Sequence, residues 1–534
     1  MIPIASCPMK GPDIALTQVT DAINDFSQHQ QKKQHVDLRL VRRLTEAAIF
    51  ARGEDEGFRA LEQLSILCAE RFSFDLVEKP AFKPNDSVIS HIPGLIPKNV
   101  TELVWNKVYQ MERNGWMSSN PDSVDGLPSL HLNLVTGGRQ IFTKASCEGG
   151  DSCESFENGI CDLIELISPF VYYELLPKVN ELLNTTTIKV DDIFLRRYGD
   201  ELTDGMSRNG ISAHYDVFSR LTSVIALDDT AAQGTNGLYT TQQLIADTKT
   251  FGTTSNHAAL RRFFPLQCGD GVVHTWDVLH GVHIDPGLNR TSLIVWFTDS
   301  DEPTQTNVPS WISKRSDLES NDVTQFVLAS SLESASILSG ELEQQCNNPV
   351  PRRSLEDATL PTTGASGDHL HYFDFYLESA SRGNSFALTR LGRACEEGLL
   401  SSQGLHRAQE ILTRLQPSMC LDLPGVPGLH ELHSPMNLAK RFWLEGAVRG
   451  NAIAQIALGD ECMMEASETG DSDVRLLAAV LFALAAQQPG NVHAFDSLAR
   501  VIDFEVADEK IRNDEDFASS FIVRIAHSVQ STIG

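Results

Sequence analysis

Positive charge is in short supply. Lysine and arginine total 43 against 71 aspartates and glutamates, a formal net charge of -28. Such a chain repels phosphate backbones and anionic bilayer surfaces unless a local basic patch intervenes, and no patch stands out, which argues against nucleic acid as a substrate. Cysteine is also sparse, 10 in 534 residues, too few and too scattered for a disulfide framework. Cys147, Cys153 and Cys161 cluster in CEGGDSCESFENGIC, but they lack the close pairing of structural zinc and no fourth ligand follows, so ordinary loop thiols are expected. No run approaches the roughly 18 apolar residues of a membrane span. The opening MIPIASCPMKGPDIALTQVTD has no basic stretch leading into an apolar one. The expected compartment is the cytoplasm or the nucleus.

What is present is apolar content, 41% of the residues, enough to bury a core. The length exceeds what one core organises, so about three or four units are expected. These are a mostly helical region over 1–120, a catalytic β-rich domain over 121–300, an acidic, Ser-rich linker with a helix over 301–369, and a helical repeat domain over 370–534. The fold class is thus α+β and multidomain.

Apolar residues at three-to-four spacing predict helices over Val36 to Phe74, Asn99 to Arg113 and Ile160 to Leu183. The turn-rich SSNPDSVDGLPSLHLNLVTGG leads into a short strand with Leu130, Leu132 and Leu134. Between Lys189 and Phe297 the period changes to short strands divided by Gly, Asp and Asn turns, as in a β-sandwich or barrel. A helix is expected near Val323 to Leu338. Farther on, Gly383-Asn384, Gly450-Asn451 and Gly490-Asn491 are each followed by Ala (387, 454, 494) and then Leu (391, 458, 498) at fixed offsets. That is a helical repeat, with Gly at a turn and small residues where helices cross.

The chemistry concentrates in His214-Tyr215-Asp216. On a strand, residues two apart project to one face, so one imidazole and one carboxylate can meet one ion. A second histidine must come from a distant strand, and His257, His274, His280 and His283 compete for that place. Two histidines and a carboxylate leave three positions open, enough for Fe(II) to take a chelating keto acid and dioxygen. Ligand types alone leave a zinc hydrolase open. Arg290 and Ser292 share a strand face, and a guanidinium beside a hydroxyl is a receptor for a carboxylate such as the far end of 2-oxoglutarate.

The stretches FLRRYGD, ISAHYD, NGLYT, CGDGVVHTWDVLHGVHI and GLNRTSLIVWF resemble the 2-oxoglutarate and Fe(II)-dependent dioxygenase superfamily, closest to its prolyl 4-hydroxylase-like branch. The resemblance covers about Lys189 to Phe297. It implies a double-stranded β-helix, or jelly-roll, with His214, Asp216 and His280 as iron ligands and Arg290 with Ser292 on the co-substrate's distal carboxylate. It also implies decarboxylation of 2-oxoglutarate to succinate with hydroxylation of a C–H bond, commonly on a prolyl side chain, and admits ascorbate as an auxiliary reductant. Where several prolyl hydroxylases carry a tyrosine supporting the co-substrate, this chain has SVIALDD, and Tyr198 or Tyr239 is the substitute. Trp296 stands where nucleic-acid demethylases of the superfamily have a second arginine. The repeats resemble the Sel1-like branch of tetratricopeptide repeats.

Three functions compete. One is a protein or peptide hydroxylase with the repeats as docking surface. Another is a small-metabolite oxygenase, and the last a repeat scaffold with a vestigial metal site. Tyr215, Val217, Phe218 and Arg220 are expected on the substrate side in either enzyme.

Overall fold

A computed structural model describes residues 76–78, 88–140, 150–199, 208–246, 261–299, 310–313, 320–345, 372–415 and 423–501, with short gaps inside several of these stretches. The expected helix over 36–74, Cys147, His257 and Gly490-Asn491 lie outside the described residues.

In chain order the strands are β1 (Leu76–Glu78), β2 (Ile89–Ile92), β3 (Leu130–Thr136), β4 (Arg139–Gln140), β5 (Ile188–Gly199), β6 (Gly210–His214) and β7 (Leu221–Ala226). They continue as β8 (Gly237–Thr240), β9 (Leu244–Ala246), β10 (Arg262–Phe263), β11 (Gly271–Thr275), β12 (His280–His283) and β13 (Asn289–Asp299). A seven-stranded sheet has the order β2-β11-β7-β13-β5-β3-β4 and a four-stranded sheet the order β10-β8-β12-β6. All their pairings are antiparallel. The strand expected around Leu130 is present, and a register shift after Asn133 lets Leu134 and Val135 both bury.

Alternation along β5 and β13 gives the larger sheet two unlike faces. Leu195, Leu293 and Val295 turn to one side and join the apolar side chains of α1 (Lys98–Arg113) and α2 (Gly150–Phe170), including Val104, Val108 and Leu163. Phe194, Arg196 and Tyr198, with Ser292, Ile294 and Trp296, turn to the other side and line a cavity. The helix expected over 160–183 is divided. Pro169 in α2 removes a backbone donor, a π turn follows over Val171–Leu175, and α3 (Leu176–Leu182) opens with Pro177 near its start.

The remaining helices are α4 (Ser310–Ser313), α5 (Asp322–Gln345), α6 (Tyr372–Ser381), α7 (Ser385–Glu396), α8 (Ser402–Arg414), α9 (Pro435–Ala447), α10 (Ala452–Thr469) and α11 (Ser472–Ala486). Helices α6 to α11 share one apolar core, in which α7 packs chiefly on α9 and α10 on α11. Two copies of the Gly-Asn pattern have the same local structure. Gly383 and Gly450 both sit at φ +84°, where L side chains are strained. Asn384 and Asn451 then cap α7 and α10 by accepting the amides of Ala387 and Ala454. Ala387, Leu391, Ala454 and Leu458 are all fully buried. Among the described residues no helix is long and apolar enough to cross a membrane.

Candidate metal centre and its cavity

His214 closes β6 and His280 opens β12, and the two are direct cross-strand partners in the smaller sheet. Their rings lie 4.4 Å apart. The expectation that His214 and Asp216 share a strand is corrected: β6 ends at His214, and Asp216 lies in the turn that leads to β7. The carboxylate still reaches the histidines because Thr222, in β7, donates its hydroxyl to Asp216 Oδ2 at 2.5 Å. His214 Nε2 is 3.7 Å from Asp216 Oδ1 and His280 Nε2 is 3.6 Å from Oδ2. One donor atom from each of the three lies within 4.8 Å of the others, so a single ion can bind all three.

The main chain sets both imidazoles. His214 Nδ1 lies 2.8 Å from the Ser212 carbonyl and His280 Nδ1 3.0 Å from the Val278 carbonyl. A carbonyl only accepts, so Nδ1 carries the hydrogen and Nε2 keeps its lone pair for a metal. Burial, with His280 next to it, pushes His214 down to about 4, which leaves the ring neutral near pH 7. Burial works against ionising Asp216, yet the surrounding imidazoles and the Thr222 hydrogen bond hold it below the usual carboxylate range.

Of the competing histidines, His274 comes close but is not one of the three. It sits in β11 of the larger sheet, fully buried, and the Trp276 turn separates it from His280. Its Nδ1 faces the Thr275 carbonyl at 3.2 Å, and its Nε2, with no hydrogen-bond partner, is 3.9 Å from Asp216 Oδ2. Burial and then His280 push it down to about 3. His283 is held by Asp285 at 3.1 Å.

Arg290 is 0% exposed. Its Nε donates to Ser292 Oγ at 3.0 Å, while Nη1 and Nη2 have no hydrogen-bond partner. Burial lowers its proton affinity, and Asp228 and Tyr198 partly offset this. Gly237, at φ +94°, lies against the guanidinium, and a Cβ there would overlap Nη1. A buried cation with unmade donors is costly unless something fills them, and a carboxylate fits that need. The residues present therefore suit both groups: three donors of the right kind for a divalent ion, and an orphaned guanidinium for an acidic co-substrate.

Tyr198 is the cross-strand partner of Arg290 and lines the cavity. Tyr239 does not, and its buried hydroxyl has no hydrogen-bond partner. The cavity, about 550 Å³, also takes in Tyr215, Val217 and Phe218. Arg220 is turned instead to Asp299, 2.5 Å away, which corrects its expected place on the substrate side.

Several lining residues were not foreseen. Asp122 and Arg196 stand on the β side, while Phe326 of α5, Phe386 of α7, Trp443 of α9 and Asn451 before α10 close the other side. No local signal marks Asp122, Phe326, Phe386, Trp443 or Asn451, because Asp122 comes from a turn-rich stretch and the other four from helical segments beyond the β-rich region. An arginine with inward strand parity, as at 196, was the one available sign.

No protein-family model and no curated protein sequence matches the chain. Among solved structures it is similar to the non-heme alpha ketoglutarate dependent epimerase SnoN of nogalamycin biosynthesis, at 12% identity over 43% of this chain and 83% of that one, TM-score 0.27. It is similar also to a Pseudomonas putida prolyl-4-hydroxylase, at 14% identity over 40% and 92%, TM-score 0.23. A third is a Trichoplax adhaerens prolyl hydroxylase in complex with a hypoxia inducible factor peptide fragment, at 13% identity over 46% and 94%, TM-score 0.23. At likenesses this low the functional reading rests on the chain's own residues.

Proposed function

We propose that this chain is an Fe(II)- and 2-oxoglutarate-dependent dioxygenase that hydroxylates a C–H bond of a protein or peptide, a prolyl side chain among the candidates. The observation that carries the reading is a pair of features: three convergent metal donors, and the buried Arg290 guanidinium, which lies behind the cavity-lining Ser292 with both Nη groups unmade. With Fe(II) bound, dioxygen would be the oxidant, one of its atoms entering the C–H bond as C–OH and the other entering succinate as 2-oxoglutarate loses carbon dioxide.

The chain's own part is binding and placement. His214 and His280 offer neutral nitrogens and Asp216 one negative charge, which leaves half of an octahedral ion open. Arg290, aligned by Ser292, receives the distal carboxylate, with the Tyr198 hydroxyl as a neighbour. Phe194, Phe218 and Trp296 keep water from the reacting face. We read the helical unit as Sel1-like repeats that also present a partner or substrate surface, and ascorbate as the auxiliary reductant. The acidic balance, -28, weighs against nucleic acid, and the proposed compartment is cytoplasm or nucleus.

A small metabolite is the second reading. A cavity of about 550 Å³ lies within the roughly 300–1,000 Å³ typical of small-molecule sites.

The test is anaerobic loading with Fe(II) and 2-oxoglutarate, exposure to oxygen, and quantitation of succinate, followed by mass spectrometry of candidate substrates for one added oxygen atom. Succinate release that persists undiminished under iron chelation would contradict the reading.

A further inference from the structure

His274 sits in β11 as the cross-strand partner of Thr222, the residue whose hydroxyl holds Asp216 Oδ2. It is fully buried, and the groups that act on it are Asp216, His280, His214 and the carbonyl of Thr275. That carbonyl takes the Nδ1 hydrogen, so Nε2 keeps its lone pair, and Nε2 has no hydrogen-bond partner. Nε2 faces Asp216 Oδ2 at 3.9 Å, and His280 Nε2 faces the same oxygen at 3.6 Å. The His274 and His280 rings are 4.1 Å apart, against 4.4 Å for His214 and His280. His280 thus stands between two imidazoles, each near one oxygen of the same carboxylate.

A nitrogen lone pair buried without a donor is costly, and one that faces a carboxylate oxygen is joined to it by a cation between them. Bonds of about 2.0–2.2 Å from nitrogen and oxygen put the donors of a tetrahedral zinc ion roughly 3.4 Å apart, which the 3.6 and 3.9 Å spacings approach. Oδ2 keeps a lone pair for an ion besides the one that accepts from Thr222. We propose that His274, His280 and Asp216 form a second metal seat, which takes an ion of low coordination number such as Zn(II). His274, unlike His214, does not line the cavity, so an ion drawn to it turns toward packed protein and gains few further ligands, which suits Zn(II) better than an octahedral Fe(II). The two seats exclude each other, because His280 has one free lone pair, its Nδ1 being held by the Val278 carbonyl. The seat rests on the proposed reaction only in its consequence: zinc held there keeps Fe(II) out and blocks uptake of the co-substrate.

The experiment measures two metals on the full chain, Zn(II) by competition with a coloured chelator and Mn(II) by its paramagnetic resonance signal, in wild type, His274→Leu and His214→Leu. Wild type takes up one ion or the other and not both, and the Zn(II)-loaded protein binds 2-oxoglutarate roughly tenfold or more weakly than the Mn(II)-loaded protein. In His274→Leu the Zn(II) affinity falls roughly tenfold or more while the Mn(II) affinity stays within about threefold of wild type, and in His214→Leu the losses are reversed. His274→Gln, which keeps a polar side chain in the strand, is read in the same way if the leucine variant does not fold. Unchanged Zn(II) affinity without His274, equal losses of both metals, binding of the two ions together, or equal 2-oxoglutarate affinity with either metal would each overturn the proposal. Failure of the Mn(II)-loaded wild type to bind 2-oxoglutarate strikes the proposed reaction instead, and the ratio of the two metal affinities still decides the seat.

Discussion

Phe386, in the first turn of α7, meets Tyr215 edge-on with ring centroids 5.4 Å apart. Tyr215 is the residue between His214 and Asp216, so the helical unit touches the middle of the metal-binding motif. Phe326 of α5 packs on both rings, 6.1 Å from Tyr215 and 5.5 Å from Phe386. Phe386→Ala is expected to destabilise the protein by about 1–3 kcal/mol, and a double-mutant cycle with Tyr215→Leu should return a coupling of about 0.5–1.5 kcal/mol. Urea denaturation of the four proteins measures it, and additive effects would mean that the two rings act independently.

Thr222 touches no metal in this scheme, yet its hydrogen bond fixes the Asp216 carboxylate. Replacement by valine keeps shape and removes the donor. Mn(II) affinity should fall roughly 10–100-fold, less than in Asp216→Ala, with the thermal midpoint of the metal-free protein little changed. Unchanged affinity in Thr222→Val would show that the turn alone orients the ligand.

Arg290 sets function against stability. Its buried Nη groups lack partners, so Arg290→Met should leave the free protein as stable as wild type or more so, since an unpaired buried cation is replaced by an apolar chain of similar length. The same change should remove the rise in melting temperature that 2-oxoglutarate with Mn(II) gives the wild type. A variant that still responds to 2-oxoglutarate would reassign the co-substrate anchor.

Two thiols report on the helical unit. Cys395 in α7 and Cys462 in α10 are both fully buried, and burial pushes each up to about 12. Because these thiols are raised above their ordinary value, the reactive thiolate is scarce below that pH: at pH 8 only about one in ten thousand is ionised. Iodoacetamide should therefore spare both in native buffer and modify them together over one denaturant transition. Peptide mass spectrometry reads each site. Native labelling as fast as at the partly exposed Cys161 would refute the picture, and separate midpoints would divide the helices into independent units.

Linear spacing carried much of the centre. The parity of Arg290 and Ser292 on one strand holds because that strand is long and regular, and their side chains do meet. The placement of Asp216 on a strand fails because β-pairing ends at His214, and a hydrogen bond from β7, not strand alternation, turns the carboxylate inward. His274 and His280 have the even separation of strand neighbours, but a turn at Trp276 puts them in different sheets, close in space for another reason. The helix starts at Gly383-Asn384 and Gly450-Asn451 were legible, because backbone sign and capping are local properties. The aromatic wall from Phe326, Phe386 and Trp443 was not, since long-range packing decides which face of a helix meets the cavity.

The two carbonyls that orient His214 and His280 belong to residues two positions upstream, Ser212 and Val278. Peptide groups take no part in side-chain variation, so the tautomers survive almost any exchange at those two positions. Erosion of the centre by drift then has few routes: a change of a donor itself, or a proline or insertion that shifts the local backbone.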